Sequence, residues 1–201
     1  MAGSIDFYFD FSSPYGYFAA MRIEELAARH GREVNWHPVL LGVVFKTTGM
    51  LPLLLIPIKG DYAIKDIERT GRLHQIPFNR PSTFPLPTQA AARAMLWIAD
   101  TQGAAKAAEF AKAVYRAYFV DDIDISDPAN VSRIGAALGI DPATLTEAMS
   151  SAPVKEQLKA GIEQAMAQGV FGSPYMIADG EPFWGFDRFD HLESFLKNGT
   201  I

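Results

Sequence analysis

The two ends of the chain carry β-strand patterns and the long middle does not, which constrains the fold more than any other feature. Residues 5–11 (IDFYFDF) alternate strongly apolar and mixed positions, as a strand does. Residues 12–14 (SSP) then begin a helical pattern that runs to Gly31, because serine caps a helix and proline is tolerated at its first position. Residues 33–40 indicate a second strand. Strand, helix and strand with short joins predict a parallel βαβ unit.

The middle of the chain is dominated by helical periodicity. Glycines and prolines over residues 41–60 predict no long element there, and four prolines over residues 76–87 predict an extended connection. The helical patterns cover residues 61–75, 88–101, 104–119, 128–138, 142–150 and 153–167.

The C-terminal end returns to strand patterns. Residues 172–178 and 181–184 indicate two strands joined by an Asp-Gly turn, and a last helix is predicted over residues 187–197. Without the helical block the order is βαβ–ββα, the thioredoxin-like arrangement. We therefore predict an α/β protein whose thioredoxin-like domain (residues 1–60 and 166–201) is interrupted by an all-helical insertion domain (residues 61–165).

Composition excludes several classes of function. None of the 201 residues is cysteine, which rules out disulfides, thiolate-bound zinc, iron–sulfur clusters and dithiol redox chemistry. The net charge of −5, without basic runs, argues against nucleic acid as a partner. The four histidines lack metal-ligand spacing, and the longest apolar run, residues 50–58, is too short to span a bilayer. With no secretory signal at the N-terminus, we expect a cytoplasmic protein with no metal and no membrane partner.

Three segments offer places for chemistry. A helix N-terminus stabilises an anion, so Ser12 or Ser13 either donates its hydroxyl to a thiolate, carboxylate or phosphate or merely caps the helix. Pro174 either starts a strand or forms a cis bond that leaves neighbouring peptide groups free for an extended ligand. Asp187 either caps the last helix or receives a ligand's ammonium group. The residues alone leave each alternative open.

Four segments taken together resemble the 2-hydroxychromene-2-carboxylate isomerases. They are residues 5–15 (IDFYFDFSSPY), 59–62 (KGDY), 170–174 (VFGSP) and 183–189 (FWGFDRF), in the family's order and at suitable spacing over nearly the whole chain. These isomerases are close relatives of kappa-class glutathione transferases and more distant relatives of DsbA-type oxidoreductases. The resemblance implies a thioredoxin-like fold with a helical insertion, glutathione as cofactor, and a homodimer.

The resemblance also implies a role for one serine. Ser13 matches the family's active serine, which occupies the place of the first cysteine of the dithiol relatives, and Gly16 falls at the place of the second. A thiol ionises more readily at a helix N-terminus, so Ser13 is expected to stabilise the thiolate of glutathione and not to act as a covalent nucleophile.

Five further residues match positions that bind glutathione in the family. Pro174 matches the cis-proline, and the backbone of Ser173 is expected to bind the cysteinyl part. Asp187, with the backbone of Phe186, is expected to take the γ-glutamyl end, and Lys59 matches a recurrent lysine.

The function expected first is a glutathione-dependent isomerisation of an aromatic, carboxylate-bearing degradation intermediate by transient thiolate addition. Met50 and Pro87 stand where family members commonly carry asparagine, and Met50, Leu51, Leu53 and Leu54 together favour a pocket for an apolar electrophile. A kappa-like transferase acting on apolar electrophiles is therefore one alternative. A thioredoxin-fold protein that binds a peptide or small thiol without turnover is another.

Overall fold

A four-stranded mixed sheet forms the centre of the protein, seen in a computed structural model that describes residues 3–201. The strands are β1 (Ile5–Phe9), β2 (Val34–Pro38), β3 (Tyr175–Ala178) and β4 (Glu181–Trp184), in the spatial order β2-β1-β3-β4. β1 runs parallel to β2 and antiparallel to β3, and β3 pairs antiparallel with β4. The expected βαβ and ββ units are both present. Residues 1 and 2 of the predicted segment 1–60 lie outside the described residues.

Two helices, not one, connect β1 to β2. α1 (Pro14–Ala20) and α2 (Ile23–Arg29) are separated at Met21 and Arg22, so the single helix expected up to Gly31 is wrong in this detail. Arg22 leaves helical geometry, and its guanidinium donates to the backbone oxygen of His74, 2.8 Å away. Buried apolar residues continue from α1 into α2, so the sequence pattern does not reveal a two-residue turn between them.

The segment 41–60 contradicts the expectation that it holds no long element. It contains α3 (Leu41–Thr48), which ends at Gly49 with a left-handed φ of 75°. Gly42 lies in the first turn of this helix, where it costs about 1 kcal/mol relative to alanine. The backbone N–H of Leu41 donates to the Asp10 carboxylate at 2.6 Å. This contact spans 31 residues, and no local pattern reveals it.

The remaining helices follow the predicted order, and their ends shift by at most two residues where they shift at all. They are α4 (Lys59–Leu73), α5 (Gln89–Gln102), α6 (Ala104–Phe119), α7 (Pro128–Ala137), α8 (Pro142–Ser150), α9 (Ala152–Ala167) and α10 (Phe189–Asn198). A one-turn 3₁₀ helix, Phe186–Arg188, precedes α10. α4 to α9 fall between the second and third strands, and the boundaries 61–165 for a separate helical domain stay a prediction.

An aromatic cluster fixes the end of β1 and the start of α1 against α6. The rings of Phe9 and Phe11 lie 5.8 and 5.2 Å from that of Tyr115, and the ring of Tyr17 lies 5.4 Å from that of Phe119. All five side chains are almost completely buried. Because interiors pack tightly, the loop between β1 and α1 has little freedom to move.

Within residues 3–201, the helices are all too short or too polar to cross a membrane.

Candidate active site

Ser13 both caps α1 and makes a contact across the fold. Its hydroxyl oxygen accepts from the backbone N–H of Gly16 at 3.0 Å and donates to the backbone oxygen of Ser173 at 2.9 Å. Pro14 occupies the first helical position, as the sequence predicted. The hydroxyl of Ser13 therefore lies between the N-terminus of α1 and the segment that precedes β3.

The segment before β3 contains a cis Ser173–Pro174 peptide. The side-chain oxygen of Ser173 accepts from the backbone N–H of Asp10 at 3.0 Å, which holds the two segments together. The backbone N–H of Ser173 has no protein acceptor among residues 3–201. A free N–H thus belongs to the same residue as the carbonyl that Ser13 contacts, and an extended ligand can reach both groups.

Asp187 lies in the 3₁₀ turn that follows β4. The backbone N–H of Gly185 donates to the backbone oxygen of Pro174 at 3.0 Å and ties this turn to the cis-proline segment. Phe186 is buried against Phe18, with ring centroids 5.9 Å apart, and it anchors the turn. The side chain of Asp187 is 75% exposed, and within residues 3–201 its one ion pair is with neighbouring Arg188, at 2.8 Å. Its carboxylate is therefore accessible to a ligand.

Lys59 begins α4 and follows Ile58, which has a left-handed φ of 68°. Its side chain is exposed. In the part of the chain that the structure describes, it has no ion pair or side-chain hydrogen bond with Ser13, Ser173 or Asp187. The structure thus connects five of the six predicted site residues and leaves Lys59 apart from that network.

Asp10 is a central residue of the site that sequence reasoning missed. One carboxylate oxygen accepts from the backbone N–H of Ser12 at 2.8 Å and from the hydroxyl of Thr88 at 2.9 Å; the other accepts from Leu41. The backbone oxygen of Asp10 accepts from the hydroxyl of Tyr115 at 2.9 Å. Burial raises the pKa of the Asp10 carboxyl, and these hydrogen bonds to the carboxylate oppose that rise. The residue joins the Ser13 loop to α3, α5 and α6.

Gly16 leaves no room for a side chain at the position where dithiol relatives are expected to carry their second cysteine. A Cβ placed on it would lie 2.7 Å from both the Ser173 hydroxyl oxygen and the Tyr115 hydroxyl oxygen. Real Cβ atoms do not approach oxygen so closely, so a side chain at residue 16 would force the Ser173 or Tyr115 hydroxyl to shift.

Tyr15 connects α1 to α4 beside the site. Its hydroxyl donates to the Asp66 carboxylate at 2.6 Å, and the Tyr62 hydroxyl donates to the other oxygen of that carboxylate at 3.4 Å. Burial first, then the hydrogen bond to Asp66 and nearby negative charges including Asp187, raise the pKa of Tyr15. Tyr15 is therefore a neutral hydrogen-bond donor at physiological pH.

A narrow cleft runs along α4 from the start of α1. Pro14, Leu54 and Phe78 are among its lining side chains. Of the apolar residues expected to line a pocket, Leu54 thus lies in this cleft, whereas Met50 and Leu51 are 38% and 59% exposed.

The α/β architecture, with a serine at a helix N-terminus facing a cis-proline, defines the class of the protein. It is a DsbA-like thioredoxin protein, and the family described as a DSBA-like thioredoxin domain matches residues 4–197.

Within that class, the chain belongs to the 2-hydroxychromene-2-carboxylate isomerase family. It is 30% identical over 199 residues to the 2-hydroxychromene-2-carboxylate isomerase of Sphingobium xenophagum, covering 98% of this chain and 99% of that one. A solved 2-hydroxychromene-2-carboxylate isomerase superposes with a TM-score of 0.87 at 28% identity over 96% of this chain and 94% of that one. Glutathione S-transferase kappa 1 of Rattus norvegicus is 25% identical over 205 residues, covering 96% and 90% of the two chains.

These relatives confirm three of the sequence-based predictions. The family resemblance and the thioredoxin-like α/β fold are both correct. The chain is an enzyme of the kind represented by these isomerases and transferases.

Proposed function

We propose that this enzyme is a glutathione-dependent isomerase of an aromatic, carboxylate-bearing compound, 2-hydroxychromene-2-carboxylate or a close analogue. The full-length similarity to enzymes of that name supports the reaction, and the similarity to kappa-class glutathione transferases supports the cofactor. The single observation that carries the proposal is the contact of the Ser13 hydroxyl with the Ser173 backbone oxygen at 2.9 Å, beside a free N–H.

The groups present fit glutathione by their chemistry. The free N–H and the backbone oxygen of Ser173 match the peptide groups of a cysteinyl residue, as strand-like pairing requires. The accessible carboxylate of Asp187, tied to the same segment through Gly185, matches an ammonium group. Lys59 is a further candidate for one of the ligand's carboxylates, because it begins α4 and its charge is exposed.

Bound glutathione would supply a thiolate that adds to the conjugated carbon skeleton of the substrate. After a bond of that skeleton has rotated, glutathione would be released unchanged. Ser13 holds the only side-chain hydroxyl hydrogen directed at the Ser173 carbonyl in the described part of the chain. The hydroxyl hydrogen rotates about the Cβ–Oγ bond, so Ser13 can turn it from this carbonyl to a thiolate, which is the stronger acceptor. The N-terminus of α1 favours the same negative charge.

Ser13→Ala tests this role. A hydrogen bond to a charged group contributes about 1.5 to 3 kcal/mol, so we expect turnover at neutral pH to fall about 10- to 100-fold and the thiol pKa of bound glutathione to rise. The matched control is Ser12→Ala. The Ser12 hydroxyl accepts from the backbone N–H of Leu86 at 3.2 Å and hydrogen-bonds to Tyr118, and within residues 3–201 it has no hydrogen bond to the Ser173 carbonyl. Ultraviolet absorbance of the bound thiolate reports the pKa. Equal thiolate absorbance in the Ser13→Ala and Ser12→Ala variants would contradict the proposal.

A kappa-like transferase is the second candidate, because kappa 1 of Caenorhabditis elegans is 35% identical to this chain over 81 residues. The two functions differ in the fate of the cofactor, since a transferase consumes glutathione and an isomerase does not. Measuring glutathione before and after complete turnover of the substrate separates them.

A homodimer in the cytoplasm completes the proposal. The homodimer rests on the family resemblance, and the cytoplasmic location rests on the absence of cysteine, which suits a reducing compartment. Light scattering of the purified protein measures its oligomeric state.

A further inference from the structure

Polar side chains that are almost completely buried are few in this protein, and most of them lie at one place. Leaving tyrosine aside, there are four among residues 3–201: Asp10, Ser13, Thr88 and Ser132. The first three belong to one network around the Ser13 loop, whereas Ser132 lies in α7 and contacts Thr146 of α8. Apolar side chains would stabilise an interior at least as well as a buried carboxyl group. Three buried polar residues in one network therefore favour a role in positioning.

Asp10 builds the turn that carries Ser13. Its backbone oxygen accepts from the backbone N–H of Ser13 at 2.9 Å, and one of its carboxylate oxygens accepts from the backbone N–H of Ser12 at 2.8 Å. Aspartate favours such turns because its side chain binds the backbone two residues further on. The backbone N–H groups of both serines are therefore held by Asp10.

Asp10 also holds the opposite side of the proposed site. Its backbone N–H donates to the side-chain oxygen of Ser173 at 3.0 Å, and Ser173 carries the carbonyl that the Ser13 hydroxyl contacts. The position of the Ser13 hydroxyl relative to the ligand-binding backbone of Ser173 thus depends on where Asp10 lies.

Two donors from other parts of the chain fix the Asp10 carboxylate. The hydroxyl of Thr88 donates at 2.9 Å to the oxygen that also binds Ser12, and the backbone N–H of Leu41 donates to the other oxygen at 2.6 Å. Thr88 directly precedes α5, where threonine commonly caps a helix, yet in the described chain its side chain makes no capping hydrogen bond. Its hydroxyl binds Asp10 instead, so the stability of α5 does not explain this contact.

We propose that Asp10, held by Thr88, is a positioning residue that fixes the Ser13 hydroxyl for hydrogen bonding to the sulfur of bound glutathione. The inference rests on the proposed function for the identity of the ligand, and it adds the groups that set the geometry of Ser13. Asp10 and Thr88 are too deeply buried to touch the ligand, so both act through Ser13. Alignment matters because a hydrogen bond weakens steeply away from its preferred distance and angle, and a misplaced group loses rate.

Thr88 is the residue to change, because its substitution leaves the turn itself intact. Thr88→Val keeps the shape of the side chain and removes the hydroxyl, whereas Thr88→Ser keeps the hydroxyl. Ser132→Ala is the matched control, since it removes another buried hydroxyl, in α7, and leaves the Asp10 network unchanged. Urea unfolding measures the stability of each variant and separates a general loss of stability from a local effect.

The backbone amide of Gly16 reports the position of the Ser13 hydroxyl without any ligand. Its N–H donates to the Ser13 side-chain oxygen at 3.0 Å, so its protection from hydrogen exchange depends on that contact. Exchange is measured by NMR relative to the amide of Phe7 in the central strand β1. A net hydrogen bond is equivalent to about a two- to tenfold effect, so Thr88→Val is expected to speed the relative exchange of Gly16 by that factor. Thr88→Ser and Ser132→Ala are expected to leave it unchanged.

Bound glutathione gives the second measurement. Thr88→Val is expected to raise the pKa of the bound thiol and to lower kcat about two- to tenfold, with little change in KM, because alignment matters most when charge develops on sulfur. Thr88→Ser is expected to match the wild type, since the hydroxyl that binds Asp10 is retained. A purely structural role would lower the free energy of unfolding without moving the pKa of the thiol.

Three outcomes would overturn the inference: equal relative exchange of Gly16 in Thr88→Val and Ser132→Ala, a Thr88→Ser variant that behaves like Thr88→Val, or wild-type thiolate absorbance in Thr88→Val. The proposed function fails separately, if wild-type protein binds no glutathione or if Ser13→Ala leaves the thiolate signal unchanged. The exchange of Gly16 needs no glutathione, so in that case it still decides whether Asp10 and Thr88 position the Ser13 hydroxyl.

Discussion

Replacing Asp10 by alanine would leave three hydrogen-bond donors, from three parts of the chain, without an acceptor. The backbone N–H groups of Ser12 and Leu41 and the hydroxyl of Thr88 now reach the Asp10 carboxylate at 2.8, 2.6 and 2.9 Å. Asp10 itself is only 4% exposed, so water cannot freely replace the lost acceptor. The substitution therefore affects stability and the Ser13 loop together.

The magnitude follows from these contacts. A buried donor left without an acceptor lowers the free energy of unfolding by about 1 to 3 kcal/mol. Three such donors would therefore lower it by at most about 3 to 9 kcal/mol. Removing a buried carboxylate recovers part of this, because burial of its charge is itself unfavourable. We expect the free energy of unfolding to fall by about 3 to 5 kcal/mol, and the melting temperature by about 6 to 20 °C.

Urea unfolding followed by circular dichroism measures the loss. Thr88→Val removes one donor from the carboxylate and is expected to cost about 1 kcal/mol. Asp100→Ala is the control, since this exposed carboxylate accepts from the Gln157 side chain at 2.9 Å and from no other group that the structure describes. It should change stability by less than about 0.5 kcal/mol. A loss below about 1 kcal/mol for Asp10→Ala would refute the reasoning, because the three donors would then need no acceptor.

The pH dependence of the same variant gives a second check. The pKa of Asp10 is raised in the folded state, so the folded protein keeps this proton to higher pH than the unfolded chain does. Protonation of Asp10 therefore stabilises the folded protein. This contribution is fully present below the pKa of about 4 that Asp10 has in the unfolded chain, and it is lost as the pH rises through the pKa of Asp10 in the folded protein. The difference in the free energy of unfolding between wild type and Asp10→Ala should thus be larger at about pH 4 than at about pH 8.

Two further predictions concern packing and a surface ion pair. Gly16→Ala places a Cβ 2.7 Å from the Ser173 hydroxyl oxygen and should cost about 1 to 3 kcal/mol in urea unfolding, whereas Gly42→Ala, with open space around it in α3, should stabilise by up to about 1 kcal/mol. Arg32 lowers the pKa of Asp179, so the ion pair stabilises the folded protein above the pKa of about 4 that Asp179 has in the unfolded chain. This stabilisation is lost as the pH falls through the pKa of Asp179 in the folded protein. Asp179→Asn should therefore cost less than about 1 kcal/mol at neutral pH and nothing in strong acid, as melting temperatures will show.

Most of the fold could be predicted because its signals are local. The strand at residues 181–184 and the helices at 104–119 and 142–150 have the predicted bounds, since alternation, helical periodicity and caps are read within a few residues. α3 was not predicted, because the acceptor for its first N–H is Asp10, far away in the sequence. The turn that separates α1 from α2 was missed for a similar reason, as Arg22 reaches a carbonyl 52 residues away.

The candidate site shows the same division. The helix start before proline is a local signal and indicated Ser12 or Ser13, whereas the family resemblance singled out Ser13. Asp10 was passed over as a mixed position in an alternating strand, although an aspartate between Phe9 and Phe11 at the buried end of that strand was a usable signal.

The contact between Ser13 and Ser173 has a consequence for biosynthesis. The two residues are 160 positions apart, so the hydroxyl group leaves the ribosome long before the carbonyl that it contacts has been translated. The βαβ segment at the N-terminus must wait through the whole helical block before β3 can pair with β1. Contacts between residues far apart in the sequence form slowly. Until β3 pairs with β1, one edge of β1 is unpaired and is prone to aggregation. Nascent chains would therefore become catalytically active only after residue 173 has been translated. Chains stalled before that residue would be inactive.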